Sequence, residues 1–279
     1  MMQASNGIER ILLSKFCGHS AAEGLGADTE MAALSQFSST ARTFRRGADI
    51  IAQGCAYDSL FMLVEGFAWR YRIMIDGRRQ VLNVLIPGDI IGFPACLFEK
   101  SLYSIGTLSR VVVHAISFER IAAFYCEHPR LAIALLWSTA REAALCGEHL
   151  TNVGWRSASE RLAHFLLEIA TRLSTVGLCD GFTFDLPLTQ AKLADVLALS
   201  IPHVNRTLRA LREEGLIEMS GPKVRIVNRA ALMAIADFDE SYLTGPPPRQ
   251  AVSELDACFG RMSNHFASLD AATAALPGT

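Results

Sequence analysis

The sequence predicts an α+β protein, with an antiparallel β segment first, then one long helix, then a compact helical unit that carries a two-stranded turn. Three observations support this. Between Thr43 and about Ser117 short apolar runs are punctuated by glycine; from Leu131 to Leu150 apolar and small residues step by three and four; from Ser157 to Val227 amphipathic helical stretches close on a Gly-Pro turn. At 279 residues the chain exceeds the usual domain of about 100 to 200, which favours two domains. Half of the residues are hydrophobic, which excludes intrinsic disorder, and 20 glycines without a period exclude a collagen. A net charge of -2 excludes a general polycation, so a nucleic-acid or lipid partner has to be met by a local patch.

Within the β segment, Trp69, Tyr71 and Ile73 alternate with Arg70 and Arg72, the period of a half-buried strand, and Asp76-Gly77 marks a hairpin turn. Several such runs at near-regular spacing indicate an antiparallel sandwich or barrel. A short helical stretch is expected at 118–126, and Pro129 can open a new helix. In that helix Ile133, Leu136, Ala140, Ala143, Gly147 and Leu150 form a coiled-coil seam whose small members suit close approach of a partner helix. Residues 1–40 read as loosely helical. At the other end, Gly245-Pro-Pro-Pro-Arg is a stiff linker before an amphipathic stretch through Val252, Leu255, Phe259, Met262, Phe266 and Leu269.

No stretch approaches the roughly 18 apolar residues of a membrane span and no signal-like segment opens the chain, so a cytoplasmic protein without a membrane partner is expected. The seven cysteines, at positions 17, 55, 96, 126, 146, 179 and 258, form no CxxC pair, so neither a disulfide framework nor an iron-sulfur or zinc site is indicated. Histidine is absent from residues 43 to 113, which removes the clustered metal set that a cupin-type metalloenzyme of this double-sheet layout would need. No enzyme activity is expected.

Residues 189 to 211 read TQAKLADVLALSIPHVNRTLRAL. Thr189 can cap a helix ending near Leu197, Ala198-Leu199 turns, and Ser200 can cap a second helix with Pro202 in its first turn. Ala194 supplies the small residue where the helices meet and Val204 the apolar anchor, the pattern of a helix-turn-helix. The second helix then presents His203, Asn205, Arg206, Arg209 and Arg212. Arg206 is expected to read a guanine in the major groove, with Ser200, Ile201, Pro202, His203, Asn205 and Arg209 beside it at bases or phosphates. Thr189 and Gln190 bring the first helix's N-terminus to the DNA backbone, and Lys223, on a wing turned at Gly221-Pro222, adds a phosphate contact. Between Leu186 and Ala230 seven basic residues face four acidic ones, which supplies the local patch.

The order of these parts resembles the CRP/FNR family of bacterial transcription regulators. The stretches RRGADIIAQG, LFMLVEGFAWRY, PGDIIGF, AISFERIAAF, HPRLAIALLW and SASERLAHFLLEIA carry the resemblance, which covers roughly residues 25 to 232. It implies a cyclic-nucleotide-binding-like β-roll (a double-stranded β-helix, cupin-like) at 25–127, a dimerisation helix at 128–155 and a winged helix-turn-helix at 156–232. A lead at 1–24 and an extension at 233–279 lie outside it. It also implies a homodimer on a palindromic promoter site, with contact to RNA polymerase.

The ligand residues of the cyclic-AMP members do not carry over. Gly92 is followed by Phe93-Pro94 where they have glutamate, the arginine and serine or threonine for the phosphate are answered by Tyr103-Ser104, and Cys146 and Gly147 stand for the adenine-facing pair. Cyclic AMP is therefore not expected as effector, and a pocket lined by Trp69, Phe93, Tyr103 and Cys146 would suit an uncharged molecule. The iron-sulfur branch's cysteine cluster is missing, Cys17 being alone. Three alternatives stay open: a haem sensor using His19, His114, His128 or His149, a thiol sensor at Cys146, and a signalling module that does not bind DNA. The recognition helix keeps the family's serine (Ser200) and last arginine (Arg206) but not its glutamate, which implies an altered half-site at one base pair.

Overall fold

The computed structural model describes residues 41–92, 98–121, 129–244 and 254; the leading stretch, Phe93 and the amphipathic tail fall outside them. Among the described residues eight strands form the β segment: β1 Ala41–Phe44, β2 Asp49–Ile51, β3 Ser59–Glu65, β4 Ala68–Ile73, β5 Arg79–Leu85, β6 Ile90–Ile91, β7 Ser104–Thr107 and β8 Val111–Ser117. They make two four-stranded antiparallel sheets, ordered β1-β8-β3-β6 and β2-β7-β4-β5. Phe61, Leu63, Ala68, Leu85, Ile91, Ile105, Val111 and Val113 point between the sheets and form the roll's own core. Gly77 takes φ +82° at the turn between β4 and β5, as the Asp76-Gly77 signal requires. That hairpin leaves Ile73, Met74 and Ile75 exposed at its tip.

The long helix α1 spans Pro129–Gly154, four residues further than the sequence pattern reaches. A capping box at Ser157 and Glu160 then starts α2, Ala158–Thr175. Strand β9 (Thr183–Asp185), α3 (Gln190–Leu197), α4 (Ile201–Glu213), β10 (Ile217–Ser220), β11 (Lys223–Ile226), α5 (Arg229–Ala236) and α6 (Ser241–Thr244) complete the C-terminal unit. Leu162, Leu166, Ile169 and Leu173 are buried along one face of α2, each contributing about 1.5–3 kcal/mol by leaving water.

The outer face of the β4-β5 sheet does not stand apart from this unit. Trp69, Tyr71, Val84 and Ile86 lie in one continuous apolar cluster with Leu162, Leu166, Leu193 and Leu208. Gly106 faces Trp69 across the ladder, and a Cβ there would lie 2.8 Å from the indole Nε1, so only glycine lets the ring lie against the strand.

A buried ion network crosses the same seam. Arg172 on α2 donates to Glu168 (2.7 Å), to Asp89 of the Pro-Gly-Asp turn (2.7 Å) and to the Val84 carbonyl (3.0 Å). His149 on α1 places Nε2 2.8 Å from Glu168 and Nδ1 2.7 Å from the Leu82 carbonyl. Both ring nitrogens face acceptors, an arrangement that favours the doubly protonated, charged imidazole. Burial opposes that charge, but the Glu168 carboxylate and the Leu82 carbonyl outweigh it and raise the His149 pKa. Glu168, whose burial alone would raise it, is held at about 2 by His149, Arg172 and His164.

A pH dependence of stability follows. A raised histidine pKa contributes stability that is complete below the imidazole's usual value of 6.5 and is lost as pH rises through the folded value. The depressed Glu168 contributes stability that is present above the usual 4.5 and is lost as pH falls through about 2. We expect urea midpoints to decline on the alkaline side as His149 loses its proton, with that decline flattened in His149→Gln. An unchanged alkaline slope in that variant would refute the assignment.

Candidate nucleic-acid interface

Thr189 begins α3 in extended geometry and its Oγ1 accepts from the Lys192 amide at 3.3 Å, a cap contributing about 1 kcal/mol. Leu193, Ala194 and Leu197 are buried on the inner face. The turn comes at Ala198, which adopts the left-handed conformation (φ 53°, ψ 45°), while the Leu199 amide closes back on the Ala194 carbonyl at 3.0 Å. Ala198 takes this shape without glycine because the two helices on either side fix it.

Ser200 stands at the N-cap of α4 but its hydroxyl makes no capping bond, so the cap expected from sequence is positional and the Oγ is left for an outside partner. Pro202 lies in the first turn, where its missing N–H has no helical partner. Val204, Thr207, Leu208 and Leu211 bury one face. The other exposes Ile201, Pro202, His203, Arg206 and Arg209. Asn205, expected to be exposed, is half-buried, and its Oδ1 has no partner among the described residues. The wing forms as β10 and β11 joined through Gly221-Pro222, with Lys223 exposed at its tip. A third strand, β9, not among the elements expected from sequence, pairs with β11, although Phe182, Phe184 and Leu186 alternate with Thr183 and Asp185 there.

These parts have counterparts in known proteins. The cyclic nucleotide-binding domain matches residues 41–128, and the Crp-like helix-turn-helix domain matches residues 160–235. The transcriptional activatory protein AadR of Rhodopseudomonas palustris is 30% identical over 225 residues, which cover 78% of this chain and 92% of AadR. This chain belongs to the CRP/FNR family. The transcriptional activator protein FnrL of Cereibacter sphaeroides is 29% identical over 215 residues, 76% of this chain and 86% of FnrL. The structure of FixK2 from Bradyrhizobium japonicum shares the fold with a TM-score of 0.64 at 24% identity, over 71% of this chain and 96% of that one. The protein is thus a DNA-binding regulator of the CRP/FNR type, on the α+β plan expected from sequence.

For a CRP/FNR protein the charges that matter are those its own carboxylates do not already occupy. Arg209 is paired with Glu213 (2.7 Å), Arg225 with Glu218 across the wing (2.6 Å), and Arg229 with Glu240. Lys192, Arg206 and Lys223 have no ion pair among the described residues, and Arg212 donates to the Leu208 carbonyl. The basic excess counted in the sequence therefore reduces to a few unpaired cations along α3, α4 and the wing.

The pocket expected from sequence does not assemble as such. Trp69 and Tyr103 point to opposite faces of the β4-β7 pair: the indole lies outside against Tyr71, Arg79 and Lys192, because Trp69 opposes Gly106, whereas Arg70 turns inward beside Ile105. Trp69 is accordingly removed from that pocket, and Phe93 falls outside the described residues. Arg70 stacks on Tyr103 at 5.9 Å and forms an ion pair with Glu142 of α1, a link between residues 72 positions apart that no local pattern signals. Cys146 lies one turn on from Glu142. Partial burial, then the Glu142 carboxylate, push its thiol above the ordinary value, although much of the side chain is exposed.

On α1 the structure separates two stripes. Glu142, Leu145, His149 and Asn152 face the protein; Leu136, Ala140, Ala143, Gly147 and Leu150 are exposed, Leu150 by 75%, while the Ile133 side chain falls outside the described residues.

Proposed function

We propose that the chain acts as a homodimer on a palindromic promoter site, with α4 of each protomer in the major groove. The exposed stripe on α1 supports the dimer: large apolar side chains at Leu136 and Leu150 flank small residues spaced for knobs-into-holes packing, and nothing among the described residues covers them. Two recognition helices related by a twofold would meet half-sites about 34 Å apart. Arg206 reads a guanine, since its guanidinium is exposed and unpaired at the centre of the helix's outer face; Ile201, 44% exposed, suits a thymine methyl. Thr189, Gln190, Ser200, His203, Arg209 and Lys223 take phosphates, Arg209 at the cost of its bond to Glu213. In this reading the chain divides into a lead, the roll, the dimer helix, the winged helix-turn-helix and an extension, and it acts in the cytoplasm in contact with RNA polymerase.

The roll is not read as a cyclic-AMP sensor. The guanidinium it turns inward, Arg70, is already neutralised by Glu142, and a buried phosphate without its own cation is costly. A haem reading finds little support at His149, whose ring nitrogens are both engaged, and a thiol reading little at Cys146, because a raised pKa lowers the thiolate fraction. No helix among the described residues is long and apolar enough to cross a membrane.

Three outcomes are expected. Arg206→Ala should cost about 1–3 kcal/mol on the preferred sequence and relax preference at one base pair in a binding-site selection; uniform weakening on all sequences would make Arg206 a phosphate contact instead. Leu150→Glu should shift the protein from dimer to monomer in sedimentation, and a variant that stays dimeric removes α1 as the interface. Titration calorimetry with cyclic AMP should give no micromolar binding, and a saturable isotherm in that range would restore the nucleotide reading.

A further inference from the structure

One set of cations gathers at the seam between the roll and the helix-turn-helix, none of them in an ion pair among the described residues. Arg46 lies in the turn between β1 and β2, Arg79 opens β5, and Lys192 sits in the first turn of α3. The Arg79 guanidinium lies 4.5 Å from the Tyr71 ring centroid and 4.8 Å from that of Trp69, and the Lys192 ammonium lies 5.2 Å from Trp69. These two rings are a buried platform that holds cations from different elements over one spot.

No ion pair reaches Arg46, Arg79 or Lys192 among the described residues. The nearby acid, Asp49, accepts a hydrogen bond from the Tyr71 hydroxyl at 2.8 Å. Burial first, and then repulsion from Arg46 and Arg79, hold the Lys192 pKa below its usual value. Lys192 also stands at the positive end of the α3 dipole, where a cation is disfavoured. Like charges concentrated in this way cost free energy unless an anion neutralises them.

We propose that Arg46, Arg79 and Lys192 form a phosphate-binding seam that receives the DNA backbone beside the N-terminus of α3, so that the β-roll itself contributes to the DNA interface. The inference rests on the DNA-binding reading above. Two features select a DNA strand over a small anion. Arg46 and Arg79 are exposed rather than enclosed, and the seam continues into Thr189 and Gln190, which are exposed at the same helix end. The contact carries no base information; it adds affinity and salt dependence.

The test uses the full chain and compares wild type with Arg46→Gln, Arg79→Gln and the double variant, with binding measured from about 50 to 200 mM salt on a selected site and on unrelated DNA. Each substitution removes one cation per protomer and should lower the slope of log affinity against log salt by about 1.8 for the dimer and weaken its binding about 60-fold at 0.1 M salt, equally on both DNAs. Arg79→Lys, which keeps the charge, should restore the slope. A double variant with wild-type slope and affinity, or an Arg79→Lys variant that behaves like Arg79→Gln, overturns the proposal. If wild type itself shows no salt-dependent DNA binding, the DNA-binding reading fails, and that result is separable from a seam that makes no contact.

Discussion

The placement of the DNA-binding unit depends on two buried charges one turn apart on α2. Arg172 and Glu168 are almost wholly removed from water, and their partners come from elsewhere: Asp89 and two strand carbonyls from the roll through Arg172 and His149, and His149 itself from α1. Removing one member of such a set leaves the others buried and unpaired, at a cost of about 3–5 kcal/mol, so the network fixes one relative position of roll, long helix and recognition unit more tightly than apolar contact alone. The recognition helix inherits that position, because α2 forms the floor on which α3 and α4 pack.

Much of this was legible in the sequence because it depends on local chemistry. The Asp76-Gly77 turn, the Thr189 cap, the buried Ala194 and Val204, and the Gly221-Pro222 wing each follow from residues within a few positions of one another. The stripe on α1 was legible for the same reason, since a helix's periodicity shows which side chains share a face.

Whatever joins residues far apart was not legible. Alternation along β4 places Trp69 and Arg70 on opposite faces but does not say which face is inside, and Trp69 was assigned to an internal pocket when it belongs to the seam. The answer came from Gly106, 37 positions away in sequence yet directly opposite in the ladder. Likewise, Arg70 and Glu142, or His149 and Glu168, are ordinary charged residues until the fold brings them together, and a count of local charge could not foresee which cations were already taken by Glu213, Glu218 and Glu240.

The apolar cluster that runs without a break from Trp69 and Tyr71 to Leu193 and Leu208 also bears on how this molecule can be taken apart. A cut at the end of α1 would not release two finished halves. It would strip the cover from one sheet face of the roll and from the inner side of the helical unit, leaving each fragment with a wet hydrophobic wall. Exchange of either half for that of a relative is therefore constrained less by the linker than by whether the incoming surface can fill the same contour around that indole.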